Sequence, residues 1–455
     1  MSPTGLSLDE SPFTRFHLRV TVFTAGGLFC DGYIIGSIGL ALPLLTPAMG
    51  LGPVWQGAMA ASVLVGLFVG ALVFGPVTDR FGRQKIYLAD LVVFVVASAL
   101  QFFADGAVTL LILRLVLGIA IGADYAIGGA LLAEFAPRKW RGRMMASLNA
   151  TWTVGFVAAY GVGVLLQGAA GPDAWRWMLA SSAVPALITL LLRLGAPESP
   201  RWLLGKGRVE EARRVIKTYI GPEYDLDPAE VTAPRSRYRD LFTRRYGRQT
   251  FFAGAFYFCQ VFPYFAVGIF LPGIITAFGV EDSTLSEIVY NGVLLVGALA
   301  GLVLMDRLPR RGFVIWSFFI IGVTLVVLGL NPNGSLAVLL PTLLVLAFVI
   351  SAAADLESVY PPEIFPTEIR ASGVGLATSI SRIGAALSTF VLPQLLVGVG
   401  VGPTMFVLAG VVAAGFVISL WLAPETRGVG LSAAAGPGPD RPRRVEPGVV
   451  AAPEL

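Results

Sequence analysis

Three charged, turn-forming segments of this chain recur about 227 residues further on, each set between long apolar runs. Asp79-Arg80-Phe81-Gly82-Arg83 returns as Asp306-Arg307-Leu308-Pro309-Arg310, at 306 − 79 = 227. Glu134-Phe135-Ala136-Pro137 with Arg141 returns as Glu363-Ile364-Phe365-Pro366 with Arg370, at 363 − 134 = 229. Pro197-Glu198-Ser199 with Arg201 returns as Pro424-Glu425-Thr426-Arg427, at 424 − 197 = 227. One offset met three times means two copies of one membrane-embedded unit, the plan of many transporters.

The apolar runs set the fold class. They are about 20 residues long, enough to cross the hydrocarbon core of a bilayer. Twelve are read, at 18–43, 54–77, 86–104, 107–133, 144–168, 175–195, 249–278, 284–305, 312–330, 335–358, 371–396 and 401–423. A mean hydropathy of +0.76, with 55% hydrophobic and 14% charged residues, excludes an ordinary soluble globule. The expectation is an all-α membrane protein with twelve transmembrane helices in two pseudo-symmetric six-helix halves, residues 1–195 and 249–423. Residues 196–248 are the linker. Within it, 209–220 has a basic face (Arg213, Arg214, Lys217) and an apolar stripe (Val209, Ala212, Val215, Ile216, Tyr219), the pattern of a surface helix. The tail, 424–455, is rich in Gly and Pro beyond Leu431 and is expected to be disordered.

Positive charge alternates between loops. Arg80, Arg83 and Lys85, then Arg138, Lys139, Arg141 and Arg143, then Arg307, Arg310 and Arg311 occupy every second turn, while the loop after span 7 is acidic. The bias of Lys and Arg toward the cytoplasm places both termini and the linker inside. The net charge of +4 therefore reflects topology, and nucleic acid is not an expected partner. No removable signal peptide is read in the first 17 residues. Only four of 33 basic residues are Lys, and Ala and Gly abound, as in high-GC bacteria; a plasma-membrane location follows. Cys30 and Cys259 fall within spans and are expected to stay unpaired thiols. His17 precedes span 1 and is expected at the surface. There is no phosphate-cradling loop, His/Cys metal cluster or nucleophile elbow, so an enzyme, a metal site and ATP-driven transport are not expected.

Gly75-Pro76-Val77-Thr78-Asp79-Arg80-Phe81-Gly82-Arg83-Gln84-Lys85 resembles the loop 2–3 signature of the major facilitator superfamily. Pro197-Glu198-Ser199-Pro200-Arg201, Pro362-Glu363-Ile364-Phe365-Pro366 and Pro424-Glu425-Thr426-Arg427-Gly428 are similar to signatures of its sugar-porter branch and close bacterial relatives. Arg114, Gly118, Gly122, Glu134, Pro137, Arg141 and Gly142 fit that branch's fourth-span pattern. The resemblance covers nearly the whole chain except the tail. It implies the major facilitator fold and a rocker-switch carrier whose halves tilt about a central cavity, a monomer in the bilayer that needs no cofactor beyond a proton gradient. Gating is then expected of Asp79, Arg80, Arg83, Glu134, Arg143, Glu363 and Arg370. Asp79 would accept from a helix N-terminus of the opposite half, and Arg83 and Arg143 would pair with Glu134 or Glu363 as latches.

Ionisable residues inside spans mark function, because each is costly unless it faces a cavity or a partner. Asp31 lies near the middle of span 1. Arg114 lies on span 4, ten residues or about 15 Å from Asp124. Arg114 is expected to reach a carboxylate on a neighbouring span, Asp31 being the candidate, so that protonation would release it. Asp31 here precedes Gly32-Tyr33, as in aromatic-acid and organic-ion symporters, whereas the sugar porters' aspartate follows that pair. Asp124-Tyr125 looks like a pair in proton–phosphate symporters. The proton carrier is left as Asp31, Asp124 or both.

Substrate signals are weaker. Asn149, Trp152, Gln260, Tyr264, Asn291, Ser379 and Arg382 are polar or aromatic groups on spans 5, 7, 8 and 11 that suit a binding site. Only Gln260 remains of the sugar porters' paired glutamines, and Ser358 stands where they carry a tryptophan. Asp31, Asp124, Asp355 and Glu357 outnumber Arg114 and Arg382, a balance that leans toward a neutral polyol, a sugar or a cationic amine, although Arg382 also suits a carboxylate. The reading is proton-coupled import of a small polar metabolite: a sugar, a polyol or an organic ion. The alternative is a proton-driven exporter, disfavoured by the missing fifth-span Gly-Pro motif. A channel and a transport-dead sensor fit less well.

Overall fold

The computed structural model describes residues 6–7, 10–137, 139–225, 238–243, 245–279, 284–365 and 369–426. The side chains of Leu6, Ser7, Pro76, Asp79, Ala146, Tyr238, Asp306 and Ala371 lie outside that description. The first half holds α1 (Arg15–Met49), α2 (Pro53–Phe81), α3 (Arg83–Gln101), α4 (Ala107–Phe135), α5 (Arg141–Ala170), α6 (Ala174–Ala180) and α7 (Ala183–Arg193). The linker holds α8 (Pro200–Gly205) and α9 (Val209–Tyr219). The second half holds α10 (Gly247–Ala277), α11 (Thr284–Arg307), α12 (Arg310–Leu330), α13 (Leu336–Ala354), α14 (Leu356–Ile364), α15 (Arg370–Gly398) and α16 (Val401–Leu422). Among the described residues the only strand pairing is a two-residue parallel bridge, Leu6 with Tyr224 and Ser7 with Asp225.

Eleven segments are long and apolar enough to cross a membrane. One of them, Arg141–Arg193, runs 53 residues, about 80 Å of helix against a core of about 30 Å. It therefore holds two crossings, α5 and the broken pair α6–α7, reversed at Gly171 with φ 59°. The bundle is thus twelve crossings. Proline shapes it. Pro53 and Pro200 start α2 and α8, where a missing N–H costs nothing. Pro263 and Pro272 lie inside α10, which kinks at Phe270 (φ −99°, ψ 18°) because a proline ring displaces the carbonyl four residues back.

Small residues let the helices approach closely. Gly118 and Gly122 of α4 lie against Gly66 and Gly70 of α2; a methyl at Gly118 would come within 2.9 Å of the Gly66 Cα. That face was expected to serve close helix contact, and its partner is α2. The halves meet along α2 with α15, α1 with α10 and α5 with α11.

His17 differs from expectation: it is fully buried. It sits in the first turn of α1, where its Nδ1 accepts from the Thr14 amide at 3.1 Å and the Phe16 and Phe13 rings flank it. The linker helix α9 buries Ala212 and Ile216, and the Tyr219 ring packs 4.9 Å from that of Phe16, which sets it against the start of α1. Cys30 and Cys259 are both free and buried. The tail beyond Thr426 lies outside the described residues.

Candidate functional site

The helices define two ends of the bundle. The basic face carries the start of α1, the α2–α3 turn and the linker; the far face carries the α1–α2 turn. Midway between them, where the halves meet, lies a cavity of about 40 Å³, room for about three waters. From the first half, Tyr125, Asn149, Trp152 and Thr153 wall it; from the second, Val261, Tyr264, Phe265, Ala354, Glu357 and Arg382. Trp152 is the aromatic centre, stacked on Phe156 at 5.6 Å and within 6.1 Å of the Tyr264 ring. Toward the basic face the Asn149 amide donates to Asp355 Oδ1 at 2.6 Å, joining the halves. Toward the far face the Tyr160 hydroxyl donates to the buried Glu287 carboxylate, joining them again. These two bonds tie the halves together on either side of the cavity.

Four of the seven predicted substrate residues, Asn149, Trp152, Tyr264 and Arg382, stand in this wall. The other three do not, and each polar group is committed to helix backbone. Gln260 donates to the Ile350 carbonyl at 3.2 Å, Asn291 to that of Glu287 at 2.9 Å, and Ser379 to that of Gly375 at 2.9 Å.

A second polar centre lies in the first half, beside the cavity. Arg193, the last residue of α7, is fully buried. Both its terminal nitrogens donate to Asp124 Oδ1 at 3.1 Å, and Asp90 Oδ1 lies 3.5 Å away. It also donates to the carbonyls of Tyr87 at 2.7 Å and Phe23 at 3.2 Å, with the Tyr87 ring centroid 3.3 Å from the guanidinium carbon. Gly27 of α1 presses on this pair: a methyl there would come 2.5 Å from Arg193 Nη2 and 2.6 Å from Asp124 Oδ2. One turn along the same face of α1 comes Asp31, fully buried, its carboxylate without a hydrogen-bond partner and within electrostatic reach of Asp124, Asp90, Arg193 and Arg382. Tyr125, next in sequence to Asp124, forms part of the cavity wall.

Arg193, Asp90 and Glu287 were overlooked in the sequence, although each falls inside an apolar block, the signal that picked out Asp31. The expected ion pair between Arg114 and Asp31 is absent. Arg114 is buried against α2, its Nε donating to the Met59 carbonyl at 3.2 Å, and its terminal nitrogens have no partner. Asp31 sits instead at the level of Asp124, whose cation comes from α7.

At the basic face the repeated motifs form two equivalent clamps. In the first half, Glu198 accepts from the Arg83 and Gln84 amides at 3.1 and 3.2 Å, capping α3. Glu134 takes the Arg83 guanidinium at 2.5 Å and the Ser199 hydroxyl. In the second half, Glu425 accepts from the Arg310 and Arg311 amides at 2.9 and 3.2 Å, capping α12. Glu363 takes the Arg310 guanidinium at 3.4 Å and the Thr426 hydroxyl at 2.5 Å. Arg141 donates to the Ala136 carbonyl and Arg370 to that of Phe365. Of the pairings expected, Arg83 with Glu134 is present and closes within the first half; Glu363 pairs with Arg310 of its own half, because the turn, the end of the fourth span and the post-bundle segment of one half converge. Arg143 lies over the Trp140 ring at 5.3 Å and meets no carboxylate among the described residues; Arg80 lies over Phe81 at 5.5 Å. The Asp79 side chain is outside the described residues.

Comparison with known proteins agrees with this architecture. The family model described as sugar (and other) transporter matches residues 20–435. The inner membrane metabolite transport protein YgcS of Escherichia coli (strain K12) is 44% identical over 438 residues, spanning 96% of this chain and 98% of that protein. Among solved structures, a partially occluded inward-open conformation of the xylose transporter XylE from E. coli superposes with a TM-score of 0.77 at 20% identity, over 91% of this chain and 99% of that one. The major facilitator proton:xylose symporter XylE bound to 6-bromo-6-deoxy-D-glucose gives 0.71 at 20% identity, over 92% and 98%.

Proposed function

This chain belongs to the sugar (and other) transporter family, a multi-pass membrane transporter of sugars or related metabolites, and from that premise we propose that it imports a small polar metabolite together with protons by alternating access. The observation that carries the coupling is the charge balance of the buried cluster. Three carboxylates, Asp31, Asp90 and Asp124, surround one guanidinium, Arg193, all out of reach of water. Fully ionised, the group would carry two uncompensated negative charges at bilayer depth, a cost of many kcal/mol. The proton is the cation small enough to fill that deficit. Asp31 is the group with no hydrogen bond to give up, so it is the exchangeable site; Asp124 and Arg193 hold the frame. The resemblance to a proton:xylose symporter supports the same reading.

The cavity is the substrate site. At about 40 Å³ it is too small for a sugar in this state, so substrate binds only when the halves rock apart. Breaking the Asn149–Asp355 bond opens the basic face; breaking the Tyr160–Glu287 bond opens the far face. Arg83, Glu134, Glu363 and Arg370 keep each half rigid during that motion, and Asp79, Arg80 and Arg143 complete the basic face, which we assign to the cytoplasm of a bacterial inner membrane. Arg114 holds α4 on α2.

The test is accumulation by purified protein in liposomes with an imposed pH gradient. Asp31→Asn is expected to abolish gradient-driven accumulation while leaving gradient-free counterflow. Accumulation by that variant equal to wild type sinks the coupling site.

A further inference from the structure

Arg382 is the exposed end of an unfinished interaction. It is 7% exposed on α15, in the wall of the central cavity. Its guanidinium carbon lies 5.3 Å from the centre of the Tyr125 ring, and Glu357 and Asp31 are within electrostatic reach. No carboxylate or carbonyl accepts from it, and its buried Nε has no partner. Arg193, the buried arginine of the coupling cluster, by contrast holds an aspartate and two carbonyls. Arg114 also has terminal nitrogens without a partner, but its Nε is held by the Met59 carbonyl and it does not line the central cavity.

The other charged group of the cavity wall, Glu357, lies within electrostatic reach of Arg382 but makes no close ion pair or hydrogen bond with it. The wall therefore offers a cation at one point and acceptors at another, with the Trp152 ring and the Asn149 amide between them. Of the four carboxylates counted from the sequence, Asp31 and Asp124 belong to the cluster around Arg193; Glu357 stands in the cavity wall with Arg382, and Asp355 is held by the Asn149 amide. A guanidinium fork matches a carboxylate with two parallel hydrogen bonds, while carboxylate and amide oxygens suit hydroxyl donors, and an indole face suits the C–H face of a sugar ring.

We infer that the substrate is a hydroxylated carboxylate, a sugar acid, whose carboxylate is held by Arg382 and whose hydroxyls face Glu357 and Asn149. This rests on the cavity being the substrate site and deepens that reading.

The experiment is equilibrium binding to the purified full chain in detergent, followed by Trp fluorescence and calorimetry. The ligands are D-glucuronate, D-galacturonate and D-gluconate, each against its parent aldose, with D-glucosamine and D-glucuronamide alongside. At least one acid is expected to bind about 10- to 100-fold tighter than its parent sugar, and the amide, which keeps the shape without the charge, should lose that gain. Arg382→Gln should bring acid and aldose to equal affinity, and Arg382→Lys should restore part of the difference. The amide comparison needs no variant, so it stands even if Arg382→Gln fails to fold. The inference is overturned if no acid binds tighter than its parent aldose, or if glucosamine is preferred. It is also overturned if the acid preference survives in Arg382→Gln. Binding needs no gradient, so loss of pH-driven uptake with intact acid binding sinks the coupling alone.

Discussion

Adding one methyl group, Gly27→Ala, tests the link between helix packing and the buried charges. The new Cβ would stand 2.5 Å from Arg193 Nη2 and 2.6 and 2.7 Å from the two Asp124 oxygens, where ordinary contact begins near 3.4 Å. Clearance of roughly 0.8 Å must be found, on the scale of contact distances at which packing turns repulsive. α1 cannot retreat toward α5, because at Gly32 the two backbones are already packed so closely that a Cβ would stand 3.0 Å from the Phe156 amide nitrogen. The 3.1 Å contact between Arg193 and Asp124 is therefore what yields. If the pair shifts but holds, overpacking costs about 1–3 kcal/mol; if it parts, about 3–5 kcal/mol. Each 1.4 kcal/mol is tenfold in an equilibrium, so pH-driven accumulation should fall about tenfold or more, with a lower melting temperature. Gly161→Ala, where an added methyl meets nothing within 4 Å, is the control and should behave as wild type. Liposome uptake with and without a pH gradient, beside thermal melts in detergent, reads both effects. Wild-type accumulation together with an unchanged melt in Gly27→Ala would refute the reasoning.

Arg193→Lys keeps the charge but cannot reach Asp124, Tyr87 and Phe23 together, so it should lose about 2–4 kcal/mol of stability, seen in denaturant melts. Glu198→Ala and Glu425→Ala each uncap one helix and should cost about 1–2 kcal/mol; the sites sit in different halves, so the double variant should show the sum. Tyr160→Phe removes the donor on the far face and should shift the population toward far-face opening about fivefold, measured by distances between spin labels on the far ends of α5 and α11. Asn149→Ala should shift it in the opposite direction in the same assay.

The twelve crossings were legible because hydrophobic length is a local property, and the repeat was legible because charges between spans have few tolerated positions. Partnership was not. Arg83 was expected to pair with Glu134 or Glu363, but the choice of Glu134, and the helix-capping by Glu198 and Glu425, depend on how three segments converge in space, which an offset of 227 cannot carry. Arg114 and Asp124 are ten residues apart, about 80° around the helix axis, and only helix rotation decides that Asp124 faces α7 while Arg114 faces α2. Arg193 was passed over because it stands at the end of its span; the break at Ser181 and Ser182 sets α7 so that its last side chain turns inward. The cavity residues were half legible. Polar groups on spans 5, 7 and 11 were found, but whether an amide faces a cavity or a neighbouring carbonyl, as Gln260 does, is written in rotation and not in residue type.

Arg193 and Glu198 are five residues apart on one strand of chain, at most about 18 Å even fully extended. That strand is short and braced: the Ala196 amide bonds back to the Arg193 carbonyl at 3.1 Å, Glu198 grips the start of α3, and Ser199 grips the end of α4. The buried Arg193 cluster and the basic-face clamp are therefore two ends of one lever, with no slack between them. A change in charge around Arg193 need not travel through the bundle to be felt where the halves part; it pulls on the tether that leads out of the sixth span.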